Sequence, residues 1–349
     1  MLRGDESLFI DTMPLDADYV PPIIKYRENE QQYIASCLKP LFQKRNGKNL
    51  LITGQPGIGK TVAVKHLLNE LEKETSEIIP LYINCWKKDT AHKIALDICD
   101  QIGFKFVQNR DTSELFREIT RILNKKAVVL VLDEADKISD QQIFYMLTED
   151  VYTKSLLFIT NDSNWINELD ERVKSRLLPE VLEFKPYKGD EIRGILQERI
   201  KYAFVPGVFG EDAFTLVTEK TTALGDMRIG LHLLKQAGEI AEGESKRAIE
   251  KIHAEKAIKT LGDFRIKQVS TLSHEEDAIL LLIKNNSGCT TKQLYDMYKE
   301  KGTLSYSSFQ RKIKHLESGK FIMLKEINKG QPGRSTIVEY GTVKKLNEF

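Results

Sequence analysis

Eight consecutive residues carry the densest chemical signal in this sequence. Gly54, Gln55, Pro56, Gly57, Ile58, Gly59, Lys60 and Thr61 follow the apolar run at 49–53 in the spacing G-x-x-x-x-G-K-T. Glycines let successive backbone N–H groups turn toward one anion, and a helix beginning at the lysine adds its dipole at the same point. The lysine of such a loop reaches the β- and γ-phosphates of a nucleotide, and the Thr61 hydroxyl is placed to hold Mg2+. Residues 54–62, with Val62 the first past the threonine, are expected to cradle a phosphate chain.

Two further groups belong to the same chemistry. The apolar run at 127–132 ends in Asp133 and Glu134. A carboxylate at the C-terminal end of a buried strand organises Mg2+, so Asp133 joins Thr61 as a metal ligand, and Glu134 beside it can act as general base toward water. The run LLFIT ends in Asn161, at the strand edge where open α/β sheets bind ligands; its amide can hold the attacking water or the γ-phosphate.

These residues need a scaffold, and the flanking patterns describe it. Apolar runs at 49–53, 78–86, 127–132 and 155–160 read as strands, alternating with amphipathic helices such as the one beginning at Lys60, with Val62, Leu67, Leu68 and Leu71 on one side. The helix starting near 112 is expected to be capped by Thr112 or Ser113. Alternation of this kind predicts a parallel, three-layer α/β domain over residues 1–187. From 188 to 264 only helical segments follow, an all-α subdomain. The stretch RIKQVSTLS at 265–273 reads as a hinge into a third unit, residues 265–349.

Composition narrows the class. The 349 residues are 41% hydrophobic and 30% charged, an ordinary globular balance, and no apolar run approaches the ~20 residues of a membrane helix. The first residues carry acids where a signal peptide has a basic start. Four scattered cysteines form no C-x-x-C pair, which argues against a zinc or disulfide framework. A cytoplasmic, nucleoid-associated protein without a membrane partner is expected. Net charge is only +1, yet residues 265–349 hold 15 Lys/Arg against 9 Asp/Glu, leaving the rest of the chain acidic. A basic module on an acidic body points to a polyanionic partner.

Within that module, Ser273 with Glu276 reads as a capping box, and a helix near 291–301 presents Leu294, Met297 and Tyr298 inward before Gly302 stops it. A third helix buries Phe309, Ile313 and Leu316 and turns Ser307, Ser308, Arg311, Lys312 and His315 outward. Two strands then flank the turn NKGQPGRS. Three helices and a basic hairpin predict a winged helix-turn-helix. Its third helix enters the major groove of double-stranded DNA, and Ser308, Arg311, Lys312, Lys314 and Arg334 are the expected contacts.

The ordered set GQPGIGKT, LDEAD, ITND, ELDERVKSRLL and GDMRIGLHLLKQAGEIAE, closed by a winged helix, resembles the AAA+ ATPases. More narrowly, it resembles the archaeal origin-recognition/cell-division-control replication initiators, over nearly the whole chain. The resemblance implies that Asn161 is sensor 1 and that Arg228 is sensor 2, a lid arginine reaching the γ-phosphate. It implies a finger arginine offered to the ATP site of a second copy or a paralogue. Arg172 of "RV-x-S" and Arg176 of the "SR" pair both stand for that role. The segment YVPPIIKYREN resembles the wall of the adenine pocket, and an insertion helix near 88–103 is similar to one that touches DNA. The implied function is an ATP-dependent replication initiator that binds double-stranded origin DNA and helps recruit or load the replicative helicase. ATP/ADP with Mg2+ would act as the switch, with slow hydrolysis through Lys60, Asp133, Glu134, Asn161, Arg172 and Arg228. The residues alone also admit a DNA-binding transcriptional regulator with a structural nucleotide, or a transposition-type AAA+ ATPase.

Overall fold

The structure, a computed structural model, describes residues 7–269, 274–299, 304–318, 322–327 and 335–340. They form two compact units, Met1–Lys259 and Thr260–Phe349.

The first unit begins with α1 (Glu28–Leu38), which tightens into a 3-10 turn where Pro40 removes an N–H donor. Then come β1 (Leu50–Thr53), α2 (Lys60–Glu74), β2 (Ile78–Asn84), α3 (Ala91–Gln101), α4 (Thr112–Leu123) and β3 (Ala127–Asp133). They are followed by α5 (Gln142–Asp150), β4 (Lys154–Ile159), α6 (Trp165–Glu168), α7 (Glu171–Leu177) and β5 (Glu180–Glu183). All pairings are parallel and the strand order is β2-β3-β4-β1-β5. Every residue of β3 is buried, because it is central and covered on both faces. One face packs on α3, α4 and α5 through residues such as Ile94, Phe116 and Phe144. The other packs on α1 and α2 through Ile34, Val64 and Leu68. Order and direction place the C-terminal ends of β1, β3 and β4 side by side, and with them Thr53, Asp133 and Thr160.

Two local expectations need correction. The sheet has a fifth strand, β5, which the hydrophobic pattern did not mark. It is an edge strand whose alternate residues face out, Val181 being 62% exposed, so it has no apolar run. Helix α4 is capped by Asp111, not by Thr112 or Ser113. The Asp111 carboxylate accepts from Glu114 N (2.8 Å), and the Glu114 carboxylate accepts from Asp111 N (3.3 Å), a closed capping box.

Helices α8 (Gly189–Ala203), α9 (Glu211–Leu224), α10 (Met227–Gly243) and α11 (Lys251–Val269) follow. Left-handed Gly225 ends α9, and the Asp226 carboxylate caps α10 through Arg228 N. Met227, Leu231, Leu234 and Ala241 share the buried stripe of α10. Helix α11 continues through Val269, so residues 265–269, expected as hinge, are helical, and 270–273 lie outside the described residues.

The second unit holds α12 (His274–Asn285), β6 (Cys289–Thr290), α13 (Thr291–Lys299), α14 (Tyr306–Ser318), β7 (Ile322–Ile327) and β8 (Ser335–Tyr340). Its sheet is antiparallel in the order β6-β8-β7. The winged-helix arrangement is present, with β6 as an addition too short for any sequence pattern. Phe309, Ile313 and Leu316 of α14 meet Leu294, Tyr298 and Ile283 in one core. Met297, expected inward, is 40% exposed: Leu294 and Tyr298 at i and i+4 already reach the core, and Met297 falls on the flank. Ser273, Gly302, Arg334 and the turn at 328–334 lie outside the described residues. Among the described residues no helix is long and apolar enough to cross a membrane.

Candidate functional site

The loop between β1 and α2 folds around its glycines. Gly54, Gly57 and Gly59 have φ of 144°, 76° and 88°, values that side-chain-bearing residues rarely adopt. At Gly57 the approach is also too close for any other residue, since a Cβ there would meet Asp226 Oδ1 at 1.9 Å. Ile58 is buried and anchors the loop in the core, whereas Gly57 and Val62 stand partly open. Lys60, the first residue of α2, is only 6% exposed. Its ammonium donates to Gly54 O (2.7 Å), Gln55 O (2.9 Å) and Asn161 Oδ1 (2.8 Å). Burial lowers its pKa to about 8 against the opposing pull of Glu134 and Asp133.

Asp133, at the end of β3, is 3% exposed and fully engaged. Its Oδ2 accepts from Thr61 Oγ1 (2.8 Å) and Tyr82 Oη (2.6 Å), and its Oδ1 from Glu134 N (3.0 Å). Glu134 sits in the left-handed region (φ 53°), uncommon for a residue with a side chain, and that turn carries its carboxylate to Asn161. Asn161 Nδ2 donates to both Glu134 oxygens (3.1 and 3.3 Å), so one amide bridges the lysine and the glutamate. Burial first, then the Asp133 and Asp136 charges, hold the Glu134 carboxyl above the usual carboxylate range. That is the direction a general base working near neutrality needs.

These groups open on a cavity of about 530 Å³. Its lining includes residues 56–62, Asp133, Glu134, Asn161 and Arg228, and also Asp18, Pro21, Pro22, Ile23, Ile24, Ile195, Arg199 and Tyr202. His66 fixes the N-terminal wall, donating from Nε2 to Pro22 O (3.1 Å) and accepting at Nδ1 from Gln31 Nε2 (3.2 Å). Buried Arg27 ties that wall to the loop, donating to Ile58 O (3.1 Å) and Lys185 O (2.7 Å) beneath the Tyr187 ring. A hydroxyl and a carboxylate side by side suit a hard cation such as Mg2+. Among the described residues no cluster of three or more His, Cys, Asp or Glu could hold a metal ion, and Mg2+ commonly completes its shell with water or a bound ligand's oxygens.

Of the three expected arginines, only Arg228 lines the cavity. Its Nε (3.0 Å) and Nη2 (2.6 Å) donate to the Asp226 carboxylate. Arg172 and Arg176, on α7, do not line it. Arg176 pairs with Glu149 and lies over the Tyr145 ring (5.3 Å), whereas the exposed Arg172 side chain makes no ion pair among the described residues. In the second unit, Arg311 and Lys314 on α14 are exposed, and Arg311 Nη2 donates to Ser308 Oγ (3.3 Å). Lys312 is drawn toward Glu276 (3.3 Å). Helix α3, the expected insertion helix, buries Ala91, Ile94, Ala95, Ile98 and Cys99 against the sheet.

The sequence reading missed Tyr82, Tyr187 and Arg199, and no motif marks them. Tyr82 lies mid-strand, and only the β2–β3 pairing brings its hydroxyl under Asp133.

Known proteins resemble this chain over both parts of the first unit. A family model described as an AAA domain matches residues 43–161, and one described as a Cdc6 AAA+ ATPase-type lid domain matches 193–259. The chain is 32% identical to the ORC1-type DNA replication protein 1 of Sulfurisphaera tokodaii, over 91% of this chain and 86% of that protein. The solved structure of the Aeropyrum pernix ORC1 protein in complex with DNA is similar at 27% identity and a TM-score of 0.76, covering 97% of this chain and 95% of that one. That of the Aeropyrum pernix ORC2 protein (ADPNP-ADP complexes) is similar at 20% identity and a TM-score of 0.66, over 97% and 95%.

Proposed function

The chain belongs to the family of ORC1-type DNA replication proteins, and on that premise we propose that it is an ATP-dependent initiator that binds double-stranded origin DNA. The carrying observation is the convergence of Lys60, Thr61, Asp133, Glu134, Asn161 and Arg228 on one cavity. It accompanies a basic helix α14 in a chain whose similar structure was solved with DNA.

In this reading the loop 54–61 and Lys60 receive the β- and γ-phosphates, and Lys60 exchanges its carbonyl partners for phosphate oxygens. Mg2+, held by Thr61 and Asp133, would neutralise charge on the transferred phosphoryl group. Glu134 takes the proton of the attacking water as the bond between the γ-phosphorus and the bridging oxygen breaks, leaving ADP and phosphate. Asn161 keeps that carboxylate oriented. Arg228 leaves Asp226 for the γ-phosphate, which draws α10 toward the cradle. Arg172, whose side chain makes no ion pair among the described residues, is the finger for a neighbouring copy. Turnover is slow, and the nucleotide state works as a switch. On DNA, Ser308, Arg311, Lys312, Lys314 and Arg334 form the contact surface, and the bound protein recruits the replicative helicase.

Chromatin immunoprecipitation of the tagged protein, overlaid on marker-frequency profiles from the same culture, tests the reading. Peaks should coincide with replication maxima. Peaks confined to promoters away from those maxima would overturn it in favour of a transcriptional regulator.

A further inference from the structure

The nucleotide cavity is also lined by a buried arginine that the chemistry above does not use. Arg199, on α8, is 7% exposed, and its Nη1 is buried without a hydrogen-bond partner. It makes no ion pair among the described residues; its guanidinium stacks over the Tyr19 ring at 5.0 Å. The neighbouring carboxylate, Glu198, is taken by Lys25 (3.1 Å) and Lys201 (2.9 Å). Desolvation depresses the guanidinium pKa, and the groups that oppose it are the tyrosines Tyr19, Tyr187 and Tyr202. A buried charge without a carboxylate is among the most unfavourable arrangements in a protein interior. The Lys60 and Arg228 end of the cavity already has its donors for phosphate. Arg199 lines the same cavity, as do the apolar Pro21, Ile24 and Ile195 and the Tyr202 ring, side chains that would pack against a flat, apolar group.

Resting on the nucleotide-site reading, we infer that Arg199 is the base-recognising residue of this cavity, its free Nη1–H donating to a ring nitrogen of the purine. A guanidinium offers only donors, so its partner must be an acceptor; adenine presents N1, N3 and N7, while its exocyclic amine is a donor and is excluded from that position. The Tyr19 ring holds the guanidinium plane in place before the ligand arrives. The arrangement leaves the empty protein with an uncompensated cation that binding satisfies, which makes the contact selective: a ligand lacking the acceptor leaves the buried donor unpaired.

Isothermal titration calorimetry of the full chain with ATP and its 1-deaza, 3-deaza and 7-deaza analogues tests this, alongside Arg199→Met, which keeps the bulk without the charge. The wild type should bind one of the three analogues about tenfold or more weakly than ATP, the loss expected for a hydrogen bond from a charged donor. Arg199→Met should bind ATP and that analogue equally, and its melting temperature without nucleotide should be unchanged or higher. An equal loss in Arg199→Met for ATP, for every analogue and for inorganic tripolyphosphate would overturn the inference by assigning Arg199 to phosphate. A lower melting temperature with an unchanged analogue ranking would overturn it by making Arg199 a structural pin for Tyr19. Failure of the wild type to bind ATP at all would instead sink the nucleotide-site reading on which this rests.

Discussion

In the proposed reading the cradle of the first unit and helix α14 of the second both offer cations to phosphate, and they do it in opposite ways. Lys60 is buried, bonded to three oxygens and desolvated, so its position is fixed before any ligand arrives. Arg311 and Lys314 are exposed, and among the described residues Arg311 has a long contact to Ser308 within one helical turn. A buried, preorganised charge is worth far more per contact than an exposed one, and it requires a particular geometry. An exposed row suits a long polyanion whose phosphates repeat, where several weak, salt-sensitive contacts add.

The contrast is sharpest in turnover. Glu134→Gln should lower ATP hydrolysis by about 10²- to 10⁴-fold, the range for removing a general base, while leaving nucleotide affinity within about threefold. Single-turnover hydrolysis beside calorimetry checks it, and comparable losses in both would mean that Glu134 binds rather than reacts. Lys60→Ala should weaken ATP binding by about 10²-fold, because it deletes the one ammonium among the cradle oxygens. It should leave the salt dependence of DNA binding intact. Arg311→Ala should do the reverse, weakening DNA binding by roughly 5- to 100-fold and reducing its salt slope, with basal ATP turnover unchanged.

A smaller effect follows from pH. Lys60 titrates at about 8 in the free protein, and bound phosphate favours its charged form. ATP affinity should therefore be flat below pH 8 and fall by about tenfold per unit above it, until the pKa of the complex is reached. The sign is opposite for folding: a lysine whose folded pKa lies below its unfolded value of 10.5 has its desolvation penalty relieved as pH rises through 8, so this group adds stability to the empty protein there. Calorimetry and melting curves across pH 7–10 should diverge accordingly. The smallest change is Lys312→Ala, expected to alter DNA affinity by less than about threefold, since its ammonium already leans on Glu276.

What could be foreseen from the chain depended on how local the information is. The cradle, the strand ending in Asp133 and the third helix of the second unit are each written in consecutive residues, and all three are where the spacing put them. Edge strand β5 was hidden because an edge needs no apolar run, and Asp111 because two equally good caps, Thr112 and Ser113, follow it directly. Tyr82 and Arg199 are different: one becomes meaningful only when β2 lies beside β3, the other only when α8 faces the N-terminal wall. Groups that act through a neighbour distant in sequence leave no periodicity to read.

One contact in the first unit ties α10 to the loop. Met227 N donates to Gly57 O (3.1 Å), joining the first residue of α10 to the middle of the loop, beside the Asp226 carboxylate that fills the space over that glycine. In the proposed reading, release of spent nucleotide would be timed by how often this backbone hydrogen bond and the adjacent Arg228–Asp226 pair open together. On that reading the lifetime of the product state would be adjustable at residues that never touch the reacting phosphate.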